Sequence, residues 1–215
     1  MSFLNQLKNQ AKALQTQQFE NSQQLEAYTA GLQKACDLLL YYLQDLARQL
    51  NVLQPAVPGF SLDGKVRWPQ MKATGFTVDS RRKTVRNKEV FDSVGIGWDV
   101  VPQVGQPVGG LVSVNFPPDL KRVEGRLALG QVRHERKEIR HPEKNALQAI
   151  QFEYLTQTRG YVNVTADHDK GQLLFRLVNT SGFDLSEMMY PAERINHDLL
   201  DELAKRIVGQ ESRFV

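Results

Sequence analysis

The sequence predicts an α+β protein: a curved antiparallel β-sheet, a C-terminal helix packed on it, and an N-terminal helical segment. Three patterns carry that expectation. Leucines recur at heptad spacing through residues 4–53, short alternating runs separated by turn residues fill residues 60–179, and Ile195, Leu199, Leu203 and Ile207 form one helical stripe near the C-terminus. No helix-length pattern separates the strands, so parallel βαβ units are disfavoured. The 215 residues are 41% hydrophobic and 24% charged, which suits a folded core. They divide into a helical segment, residues 1–54, and a sheet domain with its terminal helix, residues 55–215.

In the N-terminal segment Leu4, Ala11, Leu25, Leu32, Leu39, Leu46 and Leu53 share one heptad position, and Leu7, Leu14, Tyr28 and Ala35 share the matching one. The polar interval QTQQFENSQQ, residues 15–24, sits between the leucines with Gln18 and Asn21 at its two seam positions, so the register crosses without slipping. Length argues against one helix. An unbroken rod over residues 2–53 would run about 75 Å, against a radius of gyration of about 17 Å for a compact chain of this size. Asn21 can cap a new helix, with Gln24 answering from the third position. The expectation is two helices with a break near residues 18–22.

The second helix, residues 22–50, contains DLLLYYL, whose residues 38–43 are apolar on every side. Such a helix needs cover on two or more sides, either as a central core helix or as the seam of a homo-oligomer. Few opposite charges flank the seam to select a partner. Cys36, the single cysteine, lies beside it and reads as a small buried apolar residue. Pro55 and Pro58 bracket the linker that ends the helix.

Strands are expected at residues 65–72 (an edge strand, because of Pro69), 75–79, 90–101, 108–116, 123–140, 149–158, 160–166 and 172–179. Ile150, Phe152 and Tyr154 alternate with Gln151, Glu153 and Leu155, which predicts one wet face and antiparallel pairing. Asp167-His168-Asp169-Lys170-Gly171 reads as a hairpin turn with Gly171 at positive φ. The last helix is expected over residues 191–208, ended by Gly209. The whole is helix-grip-like or barrel-plus-helix in architecture, a likeness of layout that does not identify function.

Motifs for chemistry fail on spacing. Gly95-Ile96-Gly97 lacks the third glycine and following helix of a dinucleotide fingerprint, and Gly105 to Gly110 lacks the Lys-Ser/Thr of a phosphate loop. Asp167 and Asp169 have Val178 where a calcium loop needs glutamate. His134, His141, His168 and His197 show no zinc spacing. No cofactor is implied, and the reading leans away from an enzyme.

The net charge of +3 is unevenly spread. Residues 65–144 carry 16 Lys or Arg against 9 Asp or Glu, a net +7, leaving −4 for the rest. Within that region DSRRKTVRNKE supplies the candidate anion-binding residues Arg81, Arg82, Lys83, Arg86 and Lys88. A second group, Arg133, Arg136, Lys137 and Arg140, is interspersed with Glu135 and Glu138, as on a solvated strand face. The N-terminus lacks the apolar run of a secretory signal, and no stretch is long enough for a transmembrane segment, so a cytoplasmic protein is expected. The leading functional expectation is a non-enzymatic cytoplasmic interaction or oligomerisation module that forms a homo-oligomer through its N-terminal helices. The alternative is a pocket protein holding a small apolar or anionic ligand between sheet and C-terminal helix; phosphate-directed nucleic-acid binding comes third.

Overall fold

A computed structural model describes residues 3–214 of the chain. Its first element is a single helix, α1 (Phe3–Leu53), which crosses the polar interval without interruption and corrects the expected break near residues 18–22. The physical reason is local. The interval has neither proline nor glycine, and a break would leave a set of unpaired backbone groups at each new end for which one Asn21 cap is small compensation. Pro55 follows at the other end, where Gln54 turns the chain with φ 44°.

The strands are β1 (Ala56–Val57), β2 (Met71–Val85), β3 (Lys88–Pro102), β4 (Gly109–Val114), β5 (His134–Arg140), β6 (Leu147–Leu155), β7 (Thr158–Asp167), β8 (Gln172–Val178) and β9 (Leu185–Pro191). A second helix, α2 (Pro117–Leu129), lies between β4 and β5, and a third, α3 (His197–Ile207), follows β9 after a short 3-10 turn. Six strands in the order β1-β2-β3-β7-β8-β9 form one antiparallel sheet that curls into a half-barrel, and β4-β6-β5 form a second antiparallel sheet. The α+β class with a curved antiparallel sheet is therefore the fold of this chain.

Several boundaries differ from the expectation, each for a local reason. Residues 65–70 are not strand, because the Asp63 carboxylate accepts from the Lys65 and Val66 amides at 2.8 and 2.9 Å and bends the chain there. Pairing starts only at Met71, opposite Val57. Residues 117–129, whose second half fell in an expected strand, form α2: two prolines open it, Asp119 stands in its first turn, and Val123 and Leu127 bury one face. The expected helix over residues 191–208 begins later, at His197, since β9 occupies the chain up to Pro191. Asn196 caps α3 by accepting from the Leu199 amide at 3.0 Å. Gly209, at φ 71°, ends it as expected, with the Gln210 amide reaching back to the Lys205 carbonyl. The β7-β8 hairpin also turns as expected, with Gly171 at φ 68°.

One apolar cluster unites helices and sheet. Leu32, Leu39, Leu43 and Leu50 of α1, Ile96 and Trp98 of β3, Phe175 and Leu177 of β8, and Leu200, Leu203 and Ile207 of α3 are all buried in it. The long helix runs along β2 and β3, with α3 beside it. Asn51 fixes that placement at a β-bulge in β2: its amide nitrogen donates to the Phe76 carbonyl at 2.9 Å, and its oxygen accepts from the Phe76 amide at 2.8 Å. Phe214 packs against Phe175 and Tyr190, each ring centroid 5.3 Å away, and pins the C-terminal tail.

Candidate interaction surface

The expected basic run lies on the β2-β3 hairpin, which reaches further than the sequence suggested because DSRRKT pairs as strand. Arg86 and Asn87, both at positive φ (49° and 62°), make its two-residue turn. The hairpin collects all five cations but gives four of them partners. Arg82 stands 4.3 Å over the Phe91 ring, Lys83 pairs with Asp92 at 2.8 Å, and Lys88 faces Glu26 at 3.8 Å. Arg86 pairs with Asp169 and also donates to the Thr29 hydroxyl at 3.2 Å. Arg81 is exposed and, among the described residues, has no such partner. Exposed pairs of this kind contribute little stability, about 0 to 1 kcal/mol each. Their effect is positional: Arg86 and Lys88 hold the hairpin tip against α1.

The second charged group behaves as a solvated strand. Every residue of β5 is exposed; Lys137 pairs with Glu153 at 2.7 Å, Arg140 with Glu138 at 2.7 Å, and Arg136 with Glu124 at 3.7 Å. Such charges keep an open sheet edge from pairing with other chains. Gly109, Gly110, Leu111, His134 and Tyr154 line a shallow cleft of about 480 Å³ on this sheet.

His168 belongs to the hairpin turn and is buried, its Nε2 donating to the Phe91 carbonyl at 2.7 Å. It ties the β7-β8 turn to β3. Cys36 is 1% exposed, and burial, aided by Asp37, pushes its thiol up to about 12. The thiolate is the reactive form. Cys36 is therefore expected to resist thiol reagents at pH 8 in the folded protein and to react in denaturant; labelling native protein at the rate of a free thiol would contradict its burial.

Helix α1 carries uncovered apolar side chains at its N-terminal end. Viewed down its axis at 100° per residue, Phe3, Leu7, Leu14, Leu25, Leu32, Leu39, Leu43 and Leu50 fall within about 40° of one direction. From Leu32 onward that face is buried against the sheet; before Leu25 it is not, with Phe3 74%, Leu7 45% and Leu14 58% exposed. The side chain of Leu4, an expected seam residue, lies outside the described residues. Residues 3–24 thus form an arm beyond the body, about 33 Å long at 1.5 Å per residue. On the other flank of α1, Leu38, Tyr41, Tyr42, Leu46, His197 and Asp201 line a groove of about 470 Å³ beside α3. There Tyr42 donates to Asp201 at 2.6 Å, and burial together with that carboxylate holds the phenol protonated well above its usual range.

The sequence singled out the heptad face but not its division into covered and uncovered halves; the polar interval was the only local mark of that boundary. Among the described residues no helix is long and apolar enough to cross a membrane. No protein-family model matches the chain, and neither the curated proteins nor the solved structures contain a match.

Proposed function

We propose that the protein is a non-enzymatic interaction module in which the sheet body is a scaffold and the N-terminal arm of α1 is the docking element. One observation carries this reading: past Gln18 and Asn21, the face that α1 buries against its own sheet bears large apolar side chains again at Leu14, Leu7 and Phe3, and nothing among the described residues covers them. Burial of a large apolar side chain is worth about 1.5–3 kcal/mol, so covering three on one line favours association against its entropic cost.

The other two readings have less support. The place between the sheet and α3 is filled by Leu200, Leu203, Ile207 and Phe214, each at most 1% exposed, so a ligand there would have to displace core side chains. Four of the five cations on the β2-β3 hairpin are already partnered, which leaves few free charges for phosphates. Deleting residues 1–21 is expected to change the mass of the species measured by size exclusion with light scattering, or to abolish capture of a partner, while the melting of the body is unchanged. An arm-deleted chain matching the full chain in both mass and capture would refute the reading.

A further inference from the structure

We infer that β4 is an interface strand: its free edge pairs with β4 of a second copy of this chain, antiparallel about a two-fold axis at Leu111, through a surface separate from the arm. The hydrogen bonding of the smaller sheet defines that edge. The Thr156 amide donates to the Val108 carbonyl at 3.0 Å, and the Leu155 amide donates to the Arg133 carbonyl at 3.1 Å. Along an antiparallel strand the backbone groups of successive residues turn to opposite sides. In the register that runs from Gly109↔Leu155 to Val114↔Ile150, Val108, Gly110, Val112 and Val114 therefore turn their amides and carbonyls toward β6, while Gly109, Leu111 and Ser113 turn theirs away. Because β4 ends the order β4-β6-β5, no strand lies on that side. The three residues are exposed, and among the described residues their outward amides and carbonyls have no hydrogen-bond partner.

A row of alternating amides and carbonyls is matched by another extended strand, and composition selects which one. The opposite edge of the same sheet, β5, is guarded by its exposed charges. At β4 that protection is missing: between Asp99 and Asp119 no residue is charged, and the strand itself has no proline. Charge depletion marks the cores of protein interfaces, and an uncharged strand meets its own image with no like charges opposed. The same stretch holds four exposed large apolar side chains, Val104, Val108, Leu111 and Phe116. An antiparallel pair centred on Leu111 sets Leu111 against Leu111 and Gly109 against Ser113, each pair exchanging both of its bonds. One two-fold register thus satisfies every outward group of the three residues. It also brings the two Leu111 side chains together on the outer face and sets Val108 of each copy opposite Val114 of the other.

The alternation also gives the test. In the full-length protein Ser113→Pro removes an outward amide and leaves the β4-β6 bonds in place, and Leu111→Lys sets a charge on the axis. Light scattering over a concentration series should give twice the monomer mass for the parent, and each variant should weaken that dimer at least about tenfold without shifting the melting of the body. Introduced cysteines report the register, since Cys36 is buried with its thiol pushed up to about 12 and does not compete. Leu111 and its image have Cα atoms about 5.5 Å apart in this pairing, within disulfide reach, so Leu111→Cys should oxidise to a covalent dimer. Ser113→Cys should not, because its image lies about 14 Å away along the strand. A dimer that survives both Ser113→Pro and Leu111→Lys, or that links through position 113 as readily as through 111, would overturn the pairing. A dimer lost on deletion of residues 1–21 but kept in Ser113→Pro would belong to the arm and refute the edge. A parent monomeric at every concentration would overturn the second copy, and protection of the Leu111 and Ser113 amides from hydrogen exchange by a different protein would then give the edge to a foreign strand.

Discussion

Leu39→Ala is expected to lower the unfolding free energy by about 2–5 kcal/mol, as deletion of a buried leucine side chain does when the surroundings collapse only partly. Leu39 is 0% exposed on the face of α1 that runs along β2 and β3, in one cluster with Leu32, Leu43, Val94 and Ile96. It belongs to the segment that was expected to be covered on more than one side. The matched control is Leu14→Ala, on the same line of the same helix but 58% exposed. Measured on dilute protein, so that association does not contribute, that change should stay within about 0.5 kcal/mol. Urea titration followed by circular dichroism compares the two. Equal, small losses would mean that the body end of α1 does not pack on the sheet, and the distinction between body and arm would fall with it.

How much of this could be read from the chain depended on whether the determining interactions were local. The β6 alternation of Ile150, Phe152 and Tyr154 is a period-two pattern that only a half-buried strand satisfies, and it located that strand to within a few residues. The Asp167 to Gly171 turn needed one glycine at positive φ and had it. By contrast, the second half of β2 is polar on both faces, with residues 79–84 all exposed. Nothing in DSRRKT demands a strand; the opposing strand β3 does, by pairing with it. The break assigned near residues 18–22 failed for a related reason. A cap motif competes with continued helix, and in a segment free of proline and glycine the helix retains more hydrogen bonds. A helix of this length cannot stay within a compact body of this size, and α1 extends beyond it over residues 3–24.

The candidate site divides the same way. Composition located the cations of the hairpin, yet what those cations do is set by Glu26, Asp92 and Asp169, two of which lie far away in sequence. Charge clustering in a sequence reports where cations are, while neutralisation is a tertiary property. The heptad face was legible because its period is local. Where its cover stops was not, since the sheet that provides it lies in another part of the chain.

The other large effect expected is at Gly160 of β7. A Cβ placed there would stand 2.3 Å from Cε2 of Trp98 and 2.5 Å from two further indole atoms, well inside van der Waals contact. The backbone at this glycine is not in the left-handed region, so alanine is conformationally acceptable and any cost comes from the collision alone. The indole has nowhere to go. It is 1% exposed and stacks on Phe76 at 5.5 Å, and Phe76 in turn is held through its backbone by Asn51 of α1. Gly160→Ala is therefore expected to cost about 1–3 kcal/mol as overpacking, in a denaturant titration of the kind used for Leu39. Because the collision needs both partners, Gly160→Ala in a Trp98→Leu background should cost less than in the parent, with a coupling of roughly 1 kcal/mol or more. Strict additivity of the two changes would show that Trp98 does not lie over Gly160. The stack that connects β7 through β3 and the bulge of β2 to the body end of α1 would then lose its first member.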